Sequence, residues 1–509
     1  MIATTASFAL IGLDGVPVTV EADVNKGLPS YELVGLPDAA VKESKERVRS
    51  ALKNSGFTFP VHKITVNLAP ADVKKEGAAF DLAVALALLK ASDQLVTNST
   101  DGYVFFGELG LGGELRPVGG ILPLLIAAKA AGYRKFILPA GNEREARYLS
   151  DVEVYAAKDL KAVVFHLLGE KPIERVPIVA FEEVVRRGEK TDGRDLCFVK
   201  GQPVAKRALE IAVSGGHNLL LVGPPGTGKT MLARAIPSIM PELTFEEALE
   251  ITKIHSVAGT LGAEGIVIRR PFRTPHHTAT AAAMCGGGPN VRPGEISLAH
   301  GGVLFLDELP EYKRSVLESL RQPLEDGVIT VARAAGSVTY PASFMLCAGM
   351  NPCPCGNYGS AEKTCTCTPA AIRRYRERIS GPLLDRIDLQ VEVDNVKYDD
   401  LVSETREESS EEVKKRVEGA RAVQRARFAG TPVHTNGEMG EAQIRQFCRL
   451  DDECNALLKS AFERFSLSAR ARARIVKVAR TIADLDYSEE IRPRHVYEAL
   501  SYRIYDQNE

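Results

Sequence analysis

The chain has 509 residues, a length that predicts about three domains. Its 64 lysine and arginine residues nearly balance 66 acidic residues, and a net charge of −2 excludes attraction of nucleic acid by overall charge alone. No apolar run reaches the roughly 18 residues of a membrane-spanning helix, and the nine cysteines do not follow a secreted disulfide pattern. The composition predicts a cytoplasmic protein with reduced thiols and no membrane partner.

The first unit, residues 1–168, alternates strand and helix patterns in the manner of an α+β domain. Two strands near its start are predicted to join in a turn at Asp14-Gly15. Asp38 is predicted to cap a helix that ends at Gly56.

The rest of the chain divides into three predicted segments. Residues 169–194 are charged and lack an apolar period, which predicts a linker. Residues 195–395 alternate helices with short buried strands, the pattern of a parallel α/β sheet. Residues 396–509 show no strand pattern and predict a helical domain. The predicted fold class is therefore α/β in the centre, flanked by an α+β unit and a helical unit.

A glycine-rich segment between a buried strand and a helix predicts a phosphate-binding loop. It fits G-x-x-x-x-G-K-[ST] and consists of Gly223, Pro224, Pro225, Gly226, Thr227, Gly228, Lys229 and Thr230. Backbone N–H groups of such a loop surround phosphates at a helix N-terminus, the lysine reaches the β- and γ-phosphates, and the hydroxyl binds Mg²⁺. The segment predicts a nucleoside triphosphate site with ATP and Mg²⁺ as cofactors.

Two acidic residues follow a second apolar strand, residues 302–306. Asp307 is expected to hold Mg²⁺ together with Thr230, and Glu308 is expected to polarise a water molecule against the γ-phosphate. Adjacent carboxylates are common in loops, but downstream of a phosphate loop they indicate hydrolysis. The pair predicts an ATP-hydrolysing enzyme.

Three further positions are candidates for the catalytic group. Asn351 ends a third apolar strand, where its amide can position the attacking water. Arg386 follows an apolar helix end and can reach a neighbouring subunit's nucleotide as an arginine finger. Arg470 opens a basic helix, one of whose cations can contact the γ-phosphate. Each position alone is also compatible with an ordinary turn or surface residue.

Four cysteines after Asn351 have the spacing C-x-C-x9-C-x-C, namely Cys353, Cys355, Cys365 and Cys367. Four thiolates within about 15 residues can satisfy a tetrahedral zinc ion and stabilise an insertion. One residue between paired cysteines is less typical of zinc than two, and a group of free thiols is the alternative. The spacing favours a structural zinc site. The remaining cysteines are expected to be packing residues: Cys197, Cys285, Cys347, Cys448 and Cys454.

Two segments are candidates for gripping a nucleic-acid backbone. One is a hairpin over residues 328–340 that carries Arg333, and the other is a glycine-rich segment over residues 258–270 that ends in Arg269-Arg270. The predicted turn of the hairpin consists of Ala334, Ala335 and Gly336. A solvated hairpin without a ligand is the alternative for each.

Taken together, the motifs resemble those of AAA+ ATPases. The sequence GEISLAHGGVLFLDE at residues 294–308, with PFRTPHH at residues 271–277, is similar to the magnesium-chelatase-like branch. The resemblance is strongest to the bacterial YifB/ComM family and covers essentially the whole chain. It implies a homo-hexameric ring and, for the better-studied members, ATP-driven branch migration of DNA during natural transformation.

The resemblance also assigns roles to the candidate catalytic residues. By this resemblance Asn351 is sensor 1, Arg386 is the arginine finger and Arg470 is sensor 2. Arg474 is an alternative to Arg470, because the spacing Arg-Ala-Arg-Ala-Arg is ambiguous. The implied architecture is an AAA+ core with a C-terminal helical lid.

The N-terminal unit resembles the C-terminal domain of Lon proteases, which has a ribosomal S5 domain 2-like fold. The similar sequences are GEL at residues 107–109, LRPVGG at residues 115–120 and ILP at residues 137–139. A Lon-type peptidase needs a serine nucleophile activated by a lysine. By this resemblance Ala79 stands at the serine position and Leu122 at the lysine position, so we expect a structural or substrate-guiding domain without peptidase activity.

Two functions of different classes fit these features. The leading hypothesis is an ATP-hydrolysing ring motor that acts on single-stranded or branched DNA, as a branch-migration helicase does. The alternative is a protein-remodelling ATPase that acts on a partner polypeptide, as chelatase subunits do, with no nucleic-acid substrate. Stimulation of ATP hydrolysis by DNA separates the two.

Overall fold

A computed structural model describes residues 2–96, 100–187, 195–288, 291–333, 336–359, 363–396, 407–465 and 468–503. Across these ranges, no helix combines the length and the apolar character that crossing a membrane requires. The architecture is a mixed sheet at the N-terminus, a parallel sheet in the centre and helices at the C-terminus.

The N-terminal part is built on a seven-stranded mixed sheet, accompanied by a small two-stranded ribbon. The strands are β1 (Ile2–Ile11), β2 (Asp14–Asn25), β3 (Ser30–Val34), β4 (Lys63–Ala69), β5 (Tyr103–Phe105), β6 (Glu108–Leu109), β7 (Leu115–Arg116), β8 (Lys135–Pro139) and β9 (Glu153–Ala157). The sheet order is β3-β4-β2-β1-β5-β8-β9, and β6 pairs with β7 to form the ribbon.

The helices of this part cover both faces of the sheet. They are α1 (Ala39–Lys42), α2 (Ser44–Asn54), α3 (Asp81–Ala91), α4 (Ile121–Ala130), α5 (Glu143–Ala146) and α6 (Leu160–Leu167), with a 3₁₀ turn at Ala140–Asn142. Phe105 packs with the α3 cluster and its neighbour Val104 with the α4 cluster, so α3 and α4 lie on opposite faces. The predicted cap at Asp38 is confirmed by a 2.7 Å hydrogen bond from the Val41 N–H, although the helix breaks at Glu43.

The turn between β1 and β2 lies earlier in the chain than the sequence predicts. Ile11 pairs with Asp14, so the two residues between them form the turn, and not Asp14-Gly15. Gly12 in this turn has φ 64°, which glycine adopts at low cost. Gly15 instead allows close packing, because a Cβ there would lie 2.6 Å from the Cβ of Ala127 on α4.

The central part carries a five-stranded parallel sheet. The strands of the central part, including those outside this sheet, are β10 (Leu219–Val222), β11 (Phe272–Arg273), β12 (Gly286–Gly287), β13 (Arg292–Pro293), β14 (Val303–Leu306), β15 (Val328–Arg333), β16 (Gly336–Pro341), β17 (Met345–Met350) and β18 (Leu389–Glu392). The sheet order is β11-β14-β17-β10-β18, whereas β12–β13 and β15–β16 form separate antiparallel pairs. Strands β10, β14 and β17 are buried along their whole length, as their continuous apolar sequences predict.

One helix of this part lies within the predicted linker. The helices are α7 (Phe181–Arg187), α8 (Pro203–Gly215), α9 (Lys229–Ile239), α10 (Phe245–Ala258), α11 (Ala281–Cys285), α12 (Glu295–Leu298), α13 (Arg314–Ser319), α14 (Arg321–Asp326), α15 (Pro369–Arg376) and α16 (Gly381–Leu384), with 3₁₀ turns at Leu196–Phe198 and Leu309–Glu311. Phe181 of α7 packs in one apolar cluster with Leu243 and Ile251. A helix of two turns is too short to show an apolar period, which explains the difference from the sequence analysis. Residues 188–194 of the predicted linker lie outside the described ranges.

The C-terminal part is helical where the structure describes it. Its helices are α17 (Ser410–Arg427), α18 (Glu441–Phe447), α19 (Asp452–Phe465), α20 (Ala469–Leu485) and α21 (Pro493–Ser501), with a 3₁₀ turn at Asn436–Glu438. A capping box of Ser409 and Glu412 begins α17. Val417 and Ile482 share one apolar cluster with Leu209 of α8, so these helices pack directly against the central part.

The N-terminal sheet domain is attached to the central part near the end of α10. The Arg147 guanidinium and the Tyr148 hydroxyl donate to the carbonyl oxygen of Glu264 at 3.0 and 2.8 Å. The Gly120 N–H donates to the carbonyl oxygen of Ser256 at 3.3 Å. Backbone acceptors on the central part therefore hold both α4 and α5 of the N-terminal part.

A buried ion-pair network fixes the C-terminal helices to each other. The fully buried carboxylate of Asp484 accepts hydrogen bonds from Arg427 at 2.7 Å, from Asn436 at 2.8 Å and from Arg480 at 3.1 Å. Arg480 is itself 3% exposed. Each arginine therefore depends on this one carboxylate for charge compensation.

We expect Asp484→Ala to lower the free energy of unfolding by about 3–5 kcal/mol, because it leaves buried guanidinium charge without a counter-charge. The matched control is Lys415→Ala, which removes an exposed 3.2 Å pair with Glu411 and should cost less than about 1 kcal/mol. Urea denaturation followed by circular dichroism measures both. Equal losses in the two variants would contradict a stabilising role for the network.

Candidate nucleotide-binding and catalytic site

The predicted phosphate loop connects β10 to α9. Gly226 and Gly228 have φ values of 87° and 90°, which residues with a side chain rarely adopt. A Cβ on Gly223 would lie 2.1 Å from the carbonyl oxygen of Val393. The loop adjoins a cavity of about 440 Å³, within the size range of ligand pockets. The cavity is also lined by Phe198, Val199, Gln202, Met231, Asn357 and Lys363.

Lys229 lies at the centre of this loop. Its Nζ donates to the carbonyl oxygens of Gly223 and Pro224 at 2.7 and 2.8 Å, and to Oδ1 of Asn351 at 3.4 Å. Burial lowers the pKa of Lys229, although two nearby carboxylates oppose the shift. Phosphate oxygens would offer this cation a charged partner in place of neutral carbonyl groups.

The hydroxyl of Thr230 and the carboxylate of Asp307 lie together beside Lys229. Thr230 Oγ1 donates to Asp307 Oδ2 at 2.8 Å. Gly349 leaves room for this carboxylate, because a Cβ there would lie 2.9 Å from Asp307 Oδ1. Hydroxyl and carboxylate oxygens are suitable Mg²⁺ ligands, so the two residues fit the ion that the sequence predicts.

Glu308 extends from the end of β14 in an unusual backbone conformation. Its φ is 53°, and its side chain is 56% exposed, so the carboxylate can meet a water molecule. His277 Nδ1 lies 3.4 Å from Glu308 Oε2. The Tyr312 hydroxyl fixes the same segment by donating to the carbonyl oxygen of Pro275 at 2.5 Å. No role of its own is predicted for His277 from the sequence, although the residue belongs to the PFRTPHH sequence.

The four clustered cysteines converge on one point. Their Sγ atoms all lie within 4.8 Å of one another, and three of the separations are 3.4, 3.7 and 3.7 Å. Backbone N–H groups of Asn357 and Thr366 lower the pKa of the Cys355 thiol to about 5. The group has the size and donor set of a metal site. Of the other cysteines, Cys347, Cys448 and Cys454 are buried, and Cys197 and Cys285 are partly buried.

Arg386 lies at the opposite edge of the sheet from the phosphate loop. Its carbonyl oxygen accepts from Nδ2 of Asn218, which directly precedes β10, at 2.8 Å. The four residues of β10 separate this edge from the phosphate loop by about 13 Å. The Arg386 guanidinium pairs with Glu325 and lowers the pKa of that carboxyl, and the charge of Arg470 adds to the effect.

Arg474 lies at the same edge as Arg386. Its Nε is 3.6 Å from Oδ1 of Asp388, whose Oδ2 contacts Nδ1 of His217 at 3.3 Å. Burial raises the pKa of Asp388, but the hydrogen bond with His217 and the charge of Arg474 hold it below its ordinary value. Nη1 of Arg474 is buried and has no hydrogen-bond partner among the described residues.

The two candidate backbone-gripping segments differ in structure. The hairpin β15–β16 is confirmed, with Arg333 paired to Gly336 in the backbone register. Its turn residues Ala334 and Ala335 lie outside the described ranges. In the second segment the Arg269 side chain is exposed, whereas the Arg270 side chain is partly buried and bonded within the protein. The Arg270 guanidinium donates to the carbonyl oxygens of Pro241 and Gly301 at 2.7 and 2.9 Å, and it pairs with a carboxylate on α10 at 3.1 Å. The expected DNA contact by Arg270 is therefore replaced by a structural role.

The comparisons with known protein families divide the chain into three matches. The family of magnesium chelatase subunit ChlI matches residues 195–401, and a second family of the same subunit matches residues 20–142. The ChlI C-terminal family matches residues 407–503. The phosphate loop and the catalytic candidates of β14 and β17 all fall within the first match.

Whole-length relatives give a narrower assignment. The chain is 46% identical to the uncharacterized protein YifB of Escherichia coli over 501 residues, which is 98% of this chain and 96% of that protein. It is 44% identical to the competence protein ComM of Haemophilus influenzae over 504 residues, 99% of this chain and 97% of that protein. Lon protease 2 of Bacillus subtilis is 28% identical over 158 residues, 30% of this chain and 28% of that protein.

The phosphate loop, the parallel sheet and these matches define a magnesium-chelatase-like AAA+ protein with a Lon-like N-terminal domain. The chain belongs to the family that contains YifB and ComM. Family membership implies an ATPase that uses ATP and Mg²⁺.

We expect Arg270→Ala to lower the free energy of unfolding by about 1–3 kcal/mol, because it leaves carbonyl acceptors without their donor. Arg269→Ala is the matched control, since its side chain is exposed, and it should change stability by less than about 0.5 kcal/mol. Thermal and urea unfolding of both variants test this. If Arg270→Ala were as stable as the wild-type protein, the structural role of Arg270 would be wrong, and its side chain would be available to bind a ligand.

Proposed function

We propose that the protein is an ATP-hydrolysing ring motor, with residues 195–395 as its motor core and residues 396–509 as its lid. The single observation that supports hydrolysis most strongly is the convergence of Lys229, Asn351 and the Thr230–Asp307 pair around one loop. Bound Mg²⁺ would neutralise the β- and γ-phosphate charge there. Thr230 and Asp307 hold the ion, and Glu308 accepts the proton of the attacking water.

We expect Lys229→Ala to abolish ATP binding and Glu308→Gln to preserve it. In Glu308→Gln the phosphate loop and Asp307 remain, so only the proton acceptor is lost and kcat should fall by about 100-fold or more. Glu311→Gln is the control, because this nearby residue pairs with Arg378 on the surface. Equilibrium ATP binding and single-turnover hydrolysis separate the two defects. Hydrolysis by Glu308→Gln at the wild-type rate would contradict the role of Glu308.

The proposed ring follows from the position of the arginines. Arg386, Arg470 and Arg474 lie near the amino edge of the sheet, and the length of β10 separates this edge from their own phosphate loop by about 13 Å. A head-to-tail contact between subunits would bring this edge to the next subunit's nucleotide, and such contacts close into rings. We propose that Arg386 is the arginine finger and that Arg470 or Arg474 acts as the sensor on the same neighbouring nucleotide, in a hexamer.

Mixing of inactive subunits tests this arrangement. Arg386→Ala should bind ATP and hydrolyse it poorly, and mixing it with Lys229→Ala should restore part of the turnover. Each variant supplies what the other lacks, because one keeps the phosphate loop and the other keeps the arginine. A mixture of Lys229→Ala with Glu308→Gln is the control, since both defects lie on the same side of the interface and no turnover should return. Absence of recovery despite proven subunit exchange would argue against Arg386 acting in trans.

The proposed substrate of the motor is DNA, in single-stranded or branched form. A relative of nearly equal length is named a competence protein. The hairpin β15–β16, one of the two segments predicted to grip a nucleic-acid backbone, carries Arg333 beside its turn. A net charge of −2 requires that any phosphate contacts come from a few local cations. The rival function is remodelling of a partner protein without nucleic acid, and the match to the family of magnesium chelatase subunit ChlI keeps it under consideration.

We expect ATP hydrolysis to be stimulated by DNA, and we expect Arg333→Ala and Arg269→Ala to reduce the stimulation. Each lost ionic contact should flatten the slope of log affinity against log salt by about 0.7–0.9. Basal hydrolysis should be unchanged, because neither residue belongs to the phosphate-loop motif or to the Asp307-Glu308 pair. Lys26→Ala, on the N-terminal sheet domain, is the control. Indifference of hydrolysis to every DNA form at low salt would favour the protein-remodelling rival.

We also propose that the cysteine cluster holds a structural zinc ion. A tetrahedral site with Zn–S bonds of about 2.3 Å has sulfur atoms about 3.8 Å apart, close to the separations of 3.4–3.7 Å found here. Metal analysis of the purified protein should find about one zinc ion per chain.

A further inference from the structure

The cysteine cluster lies beside the nucleotide pocket. Gly356, directly after Cys355, has φ 82°, and a Cβ there would lie 2.7 Å from Cδ of Pro225 in the phosphate loop. Only a residue without a side chain allows this approach. The backbone of the cysteine loop therefore packs directly against the phosphate loop.

Two residues of the cysteine loop, whose described parts are residues 353–359 and 363–367, also line the nucleotide cavity. Asn357 and Lys363 border the same 440 Å³ cavity as the backbone of Gly226 and Gly228. Lys363 lies two residues before Cys365, and Asn357 lies two residues after Cys355. Both pocket residues are thus tethered within two positions of a cysteine ligand.

The cysteine loop begins directly after β17, the strand that ends at Met350. Cys353 is fully buried and follows Asn351 by two residues, and Asn351 contacts Lys229. Tyr358 provides a second attachment, because its N–H donates to Cys353 Sγ at 3.3 Å and its ring lies under the Arg376 guanidinium at 5.4 Å. The cluster is therefore placed between the end of β17 and one wall of the pocket.

We propose that a metal ion bound by the four cysteines holds this loop as a wall of the nucleotide pocket, where Lys363 binds the phosphate charge of the nucleoside triphosphate. The free energy of metal binding then orders the wall, so the metal raises nucleotide affinity without touching the nucleotide. This inference depends on the proposed binding of ATP at the phosphate loop. It adds a residue and a metal dependence that the phosphate-loop motif does not contain.

The first experiment removes the metal from the folded full-length protein. The zinc content is measured, the metal is extracted with a chelator under reducing conditions, the chelator is removed, and the Kd for a fluorescent ATP analogue is measured in excess Mg²⁺. We expect at least a tenfold loss of affinity that added zinc reverses. Circular dichroism should stay unchanged, because the domain cores do not include the cluster loop beyond Cys353.

Two sets of variants provide an independent measurement. Cys365→Ser with Cys367→Ser should lose the metal and bind the analogue as weakly as the extracted protein, while Cys285→Ser, outside the cluster, should retain both properties. Lys363→Ala should keep the metal but bind the analogue several-fold more weakly, and Lys363→Arg should restore affinity because the charge is kept. Lys26→Ala is the control for removal of an exposed lysine.

The possible outcomes distinguish this inference from the proposed function. Failure of the metal-loaded wild-type protein to bind the analogue would contradict the ATP site itself. Equal affinity with and without metal, or unchanged affinity in Lys363→Ala, would overturn the inference and leave the ATP site intact. Absence of metal from the purified protein, or global unfolding on extraction, would overturn it as well, since the cluster would then not act on one wall of the pocket.

Discussion

The parallel hydrogen-bonded register of β10, β14 and β17 is the constraint on which the candidate site depends. Val222 of β10 pairs with Met350 of β17, so the residues that follow them, Gly223 and Asn351, emerge at the same edge of the sheet. The Gly223 N–H extends the register by donating to the carbonyl oxygen of Met350 at 3.1 Å. Because the carboxyl ends of parallel strands meet at one edge, residues distant in sequence become neighbours without any long connection.

The same register separates two chemical functions across the sheet. The carboxyl edge has the phosphate loop and two carboxylates, whereas the amino edge has a set of arginines around Asp388 and Glu325. The buried Asp388 orders this second edge by contacting both Arg474 and His217. A chain with almost no net charge thus carries a locally cationic edge, which is the type of surface that a bound triphosphate on a neighbouring copy would need.

The central fold and the phosphate loop were predictable because their signals are local. A run of apolar residues followed by glycines, or by Asp307-Glu308, marks both a buried strand and its functional end. The register of the strands and the contacts of individual side chains were not predictable. The role of Arg270 depends on carbonyl groups of Pro241 and Gly301, which lie far away in the sequence. The approach of the cysteine loop to Pro225 depends in the same way on tertiary packing.

Glu145 is buried at the junction between the N-terminal domain and the motor core. The Leu122 side chain is 1% exposed, and its backbone lies beside Glu145, whose pKa is raised mainly by burial and lowered in part by the backbone of Leu122 and by Ser256. Ser256 Oγ donates to Glu145 at 2.5 Å from α10 of the motor core. The α4 and α5 helices of the N-terminal domain therefore meet α10 of the motor core around one buried carboxylate. This contact joins the N-terminal domain directly to α10, the helix that precedes the exposed Arg269.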